Sequence, residues 1–267
     1  MAFFFREDRG YDMSRRLTGF DRYRQLMSFY ALRWVIVNLI TVSGALPLAI
    51  GIWISIASSS LLVLVPASIL GGMIFGPFLA GMYDSILRGL RDAPGKWQAH
   101  WKRSWVQNWK SSFLPGGILG FLTGMFAFML YLLWSAQALA GWGTLLIYLV
   151  SVALFLWVNT LFWPQLVLFE QSNAIRLKNA VLFTIRHFGR VAGAVVIQLI
   201  FLLVLVLFAP WTLIVIPFLG FWFTLFVAQF RIYDALNEAL QIEAQFIPLE
   251  GDPWRVSPLD EKNAEEA

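Results

Sequence analysis

Cysteine is absent from the 267 residues, which excludes disulfide scaffolds, thiolate metal centres and cysteine nucleophiles. Charge is scarce as well. Asp, Glu, Lys and Arg make up 13% of the chain, about half the usual share, and so thin a polar coat cannot cover a soluble globule. No nucleophile elbow, phosphate-cradling glycine loop, catalytic carboxylate pair or zinc-binding helix motif is present. His100 and His187 lack a second ligand at metal spacing. The expectation is a non-enzymatic protein with no cofactor and no metal.

What the chain has is apolar residues, 59% of the total, gathered in long blocks. A hydrocarbon core about 30 Å thick takes about 20 helical residues. Six segments qualify, at 34–56, 61–82, 113–133, 145–168, 191–208 and 211–230, and none contains Lys, Arg, Asp, Glu or His. The expected fold is all-α: six transmembrane helices arranged as three antiparallel hairpins. Ser58, Ser59 and Ser60 turn the first hairpin, a stretch around 137–143 the second, and Ala209-Pro210 the third. The chain then divides into an N-terminal segment (1–33), a membrane domain (34–230) and a tail (231–267).

Orientation follows from the cations. All 20 Lys and Arg fall before the first span, between the second and third, between the fourth and fifth, or after the sixth. Short loops rich in cations stay in the cytoplasm. Both termini are therefore expected inside a plasma membrane. From Arg231 onward nine acids face three bases, leaving an excess of positive charge on the rest of the chain. That asymmetry suits an anionic bilayer surface, not nucleic acid.

The cytoplasmic loops carry the candidate contacts. Trp97, Trp101, Trp105 and Trp109 recur every four residues beside Lys102, Arg103 and Lys110. At helical spacing they form one aromatic face with flanking cations, as an amphipathic helix lying in the membrane interface requires. Packing of the rings on the ends of the spans is the equal alternative. Weaker versions occupy 21–34 and 172–190, giving three parallel units of cytoplasmic helix plus hairpin at intervals of 75–80 residues. Asp84 and Arg88 stand one helical turn apart, acid first, with Arg91 and Asp92 following. This cluster reads as an interfacial anchor, or as a docking point for an acidic partner or phosphorylated ligand.

Within the spans the polar residues are few. Asn38, Asn159, Gln165 and Gln198 suit hydrogen bonding between helices. Asn159, Gln165 and Gln198 are also the candidates for a polar pocket. Gly72, Gly76 and Ala80, and Gly116, Gly120 and Gly124, place small residues every fourth position for close helix approach, within the chain or in a homodimer.

Residues 76–120, with Pro77 and Ala80, Tyr83 through Arg88, the Gly95 turn and Trp101, Trp105 and Trp109, resemble the YesL-like family of bacterial integral membrane proteins. The resemblance implies a six-span companion of carbohydrate-uptake systems with no assigned reaction. The tail with Pro248, Pro253 and Pro258 departs from the family pattern. The expected function is thus an accessory or regulatory partner of a transport or envelope system, in contact with the lipid bilayer and transporter subunits. A small-solute permease is the alternative.

Overall fold

The computed structural model describes residues 16–93, 96–135 and 141–245. Among them the chain forms α1 (Gly19–Ala57), α2 (Leu61–Leu90), α3 (Trp97–Ser135), α4 (Trp142–Leu168), α5 (Asn173–Arg186), α6 (Phe188–Leu207), α7 (Ile216–Leu240) and a closing turn, α8 (Ile242–Gln245). All except α5 and α8 are long and apolar enough to cross a bilayer. The protein is an all-α polytopic membrane protein. Arg16 pairs with Glu243 at 2.6 Å, so both ends of the described chain meet at one end of the bundle, as an even number of crossings requires. The tail beyond Phe246 lies outside the described residues.

α2 sits in the middle. It packs along α1 and α3 and also touches α4 and α7, while α6 joins α4 to α7 around the outside. Between Phe75 and Leu90 only Phe78, Ser85 and Arg88 are less than fully buried. Large rings fill the space around it: Trp34 lies 4.6 Å from Phe226 and 5.8 Å from Trp222, and Tyr83 stacks on Trp163 at 6.2 Å.

The small-residue stripe explains why α2 and α3 lie so close. A methyl group on Gly72 would land on the backbone of Gly116 and Gly120, and one on Gly120 would land on that of Ser68 and Gly72. The two backbones therefore touch, with no side chain between them. In lipid, where apolar surface drives no association, such close packing is what holds helices together. The stripe is spent within the chain, and a homodimer through it would first have to part α2 from α3.

Asn38 ties α1 to α7. Its side-chain amide donates to the carbonyls of Ile216 and Pro217 at 2.9 and 2.7 Å, and its oxygen accepts from the amides of Phe221 and Trp222 at 2.9 and 3.1 Å. Pro217 stands in the first turn of α7, where its missing N–H costs nothing. A carboxamide inserted beside that turn satisfies backbone groups that lipid could not.

Three expectations need correction. Residues 97–112 do not form a separate in-plane helix; they are the first four turns of α3, which runs unbroken for 39 residues. Residues 21–34 likewise belong to α1. Both stretches keep helical propensity through the boundary, and the partner helix continues beside them, so nothing bends the chain into the interface. Only α5 is separate, begun by Ser172, whose hydroxyl accepts from the Ile175 amide, and ended at His187. The sixth span starts later than 211. Trp211–Ile214 is a short 3-10 turn and the helix begins at Ile216. Composition alone cannot place that boundary, because the turn is as apolar as the helix. Of the three expected units of helix plus hairpin only the spacing is kept: helices open at residues 19, 97 and 173, and only the third has a helix separate from its span.

Candidate functional site at the charged end

Asp92 closes α2. It has left-handed backbone geometry (φ 54°), which an aspartate tolerates better than most residues, and it turns its carboxylate inward. Arg22 from the start of α1 donates to it at 2.5 Å, and Arg16 approaches to 3.7 Å. Both arginines also donate to the Leu90 carbonyl, a free acceptor at the helix C-terminus. Arg16 continues to Glu243, which accepts from the Tyr233 hydroxyl at 3.0 Å and is held by its own amide to Asn237 at 2.8 Å. One network therefore clasps the N-terminal segment, the end of α2 and the end of α7. Burial pushes the Asp92 carboxyl above the ordinary aspartate range, and Arg22 and Arg16 pull it back.

One turn earlier, the predicted Asp84–Arg88 pair forms at 2.9 Å. Arg88 lines a small cleft between α1, α2 and the start of α3, together with Tyr30, Arg33, Trp34, Trp97 and His100. The cleft holds about 30 Å³. While Asp84 occupies Nε, Nη1 of Arg88 is buried and meets no acceptor among the described residues. Arg91 is buried nearby.

The tryptophans form a ladder along α3. Trp101, Trp105, Trp109 and Phe113 follow one another at 6.5, 4.6 and 4.9 Å. Phe78 of α2 meets both Trp101 and Trp105, and Gly81 leaves room for the Trp101 indole. Trp101 and Trp105 pack on α2, with Lys102 exposed and Arg103 half-buried beside them.

The candidate polar pocket is not assembled. Asn159 bonds within α4, donating to Phe155 and accepting from Trp163, and lines an apolar groove of about 510 Å³ between α3 and α4. Gln165 bonds the carbonyls of Leu161 and Arg176 and borders a separate cavity of about 210 Å³ between α4, α5 and α7. Gln198 donates to Thr160 at 2.6 Å. Asn159 stays within α4, Gln165 of α4 reaches α5, and Gln198 of α6 reaches α4, so the three amides do not converge.

Sequence reasoning missed several members of the site. Arg16, Arg22 and Glu243 carry no local signal, because their oppositely charged partners lie 70 to 227 positions away. Gln229, fully buried and donating to the Thr160 carbonyl at 2.9 Å, could have been found as an amide inside an apolar span. Arg176 is buried with hydrogen bonds to Asn173 and the Phe169 carbonyl, and no carboxylate among the described residues pairs with it. Burial pushes its guanidinium down. The chain matches no family model, no curated protein and no solved structure.

Proposed function

We propose that this protein is a non-enzymatic accessory or regulatory subunit of a transport or envelope system in the plasma membrane, docking through its charged end. The observation that carries this reading is segregation. Every ion pair described above lies at one end of the bundle, while inside the spans Asn38, Gln165, Gln198 and Gln229 hold helix to helix and Asn159 bonds within its own helix. A permease needs a polar cavity near the bilayer midplane, and Asn159, Gln165 and Gln198 do not converge on one. The bias of Lys and Arg puts the charged end and both termini in the cytoplasm. The resemblance of residues 76–120 to YesL-like proteins supports a companion of carbohydrate uptake.

A reporter that functions only in the cytoplasm, fused to the C-terminus, is expected to be active; activity only of a periplasmic reporter there sinks the orientation. For partners, the tagged protein is drawn from membranes and its companions identified by mass spectrometry. A transporter subunit is expected to co-purify, and to be lost when exposed Lys102 and Lys110 of α3 are both changed to Glu. A chain ending at Gln245 tests the tail without cutting into α7 or the Glu243 clasp. Solute flux into liposomes holding the protein alone would overturn the accessory reading.

A further inference from the structure

We infer that the cleft between α1, α2 and α3 is a binding site for the phosphate of an anionic phospholipid headgroup. Its lining combines two guanidinium groups, Arg33 and Arg88, one imidazole, His100, and three rings, Tyr30, Trp34 and Trp97. Asp84 engages Arg88 through Nε at 2.9 Å. That bond fixes the guanidinium plane and leaves Nη1 buried without an acceptor among the described residues. A buried donor on a charged group is costly to leave unmet, and no described carboxylate lines the cleft. An anion brought from outside completes the site.

The size of the space selects the anion. About 30 Å³ is room for roughly two water-sized groups, which is what the two non-bridging oxygens of a phosphodiester present. Two arginines suit that group, because planar guanidinium forks match phosphate oxygens. The position selects the source. On α1, Phe29 and Leu32, immediately beside the cleft-lining Tyr30 and Arg33, are 60% and 46% exposed. Such apolar surface at the end of a span is covered by lipid, so the mouth of the cleft opens beside headgroups. Trp34 is braced by its indole N–H to the Ser85 carbonyl at 3.2 Å, and Arg33 stacks over Tyr30 at 5.5 Å. Rings and cations together are the combination that seats a protein at the headgroup level. The inference is independent of the accessory role, since it concerns a lipid and not a protein partner.

The test is native mass spectrometry of the full chain in neutral detergent, titrated with dioctanoyl phosphatidylglycerol. The lipid is expected to bind in one-to-one stoichiometry, and about tenfold more weakly to Arg33→Gln. That variant leaves the Asp84–Arg88 pair intact, so a folding failure of Arg88→Gln would not void the result. Lys178→Gln, an exposed cation on α5, is expected to bind like the unaltered protein. An equal loss in Lys178→Gln and Arg33→Gln would mean diffuse charge attraction and overturn the site. Binding of inorganic phosphate as tight as that of the lipid would overturn the lipid assignment, as would equal binding of dioctanoyl phosphatidylcholine.

Discussion

Gly72→Leu is expected to abolish recovery of folded, monodisperse protein, and Gly72→Ala to lower stability by about 3 kcal/mol. The first added carbon at this position meets the backbone of Gly116 and Gly120. Backbone cannot swing aside as a flexible side chain can, so α2 and α3 must separate along the whole seam. Gly116 and Gly120 in turn press on Gly72, Gly76 and Ser68, which spreads any separation over several turns. A separation there also reaches the core, because α2 packs along α1 as well as α3 and touches α4 and α7. The same Ala change at Gly143, where no atom lies within 4 Å, should leave the melting temperature in detergent unchanged. Melting of Gly72→Leu at the unaltered temperature would show that the two helices are not in backbone contact.

The second large effect is expected at the clasp. Asp92→Asn should cost about 3 kcal/mol, the usual loss when one partner of a buried ion pair is removed. Asparagine is the right probe because it tolerates the left-handed backbone that Asp92 adopts, so the change isolates charge from strain. What it leaves behind is Arg22, itself buried, with its positive charge uncompensated. The double variant Arg22→Met with Asp92→Asn should therefore regain much of the loss, since the orphaned cation is gone while Arg16 keeps Glu243. Added salt should alter these differences little, because buried pairs are poorly screened. Thermal unfolding of the single and double variants in detergent decides it: additive losses, or a loss below about 0.5 kcal/mol for Asp92→Asn, would place the pair in solvent.

The candidate site was legible only in its local part. Asp84 and Arg88 are neighbours on one helical face, and spacing of four suffices to pair them. The tryptophan face was equally visible, but not what covers it. Lipid and a neighbouring helix are both apolar, so a pattern of rings cannot say which of the two it meets. The structure puts α2 there through Phe78 and Gly81. The pocket drawn from Asn159, Gln165 and Gln198 failed for a related reason. Amides in a span must find partners, yet nothing in their spacing reveals that Gln198 turns to Thr160 while Gln165 turns to α5.

Six bilayer-crossing helices were legible in the residues alone, because the penalty for placing charge in hydrocarbon is so large that a run of 20 residues without it reads as a span. The sequence determined equally that the second and third spans carry surfaces without side chains. Tertiary structure alone decided that those surfaces meet each other, that α3 continues straight through its tryptophans, and that Arg16, Arg22, Asp92 and Glu243 share one network. Crossing a membrane depends on the solvent each residue prefers, a property of the residue and its near neighbours. Which faces meet depends on backbones distant in sequence coming within contact distance, and no local pattern encodes that.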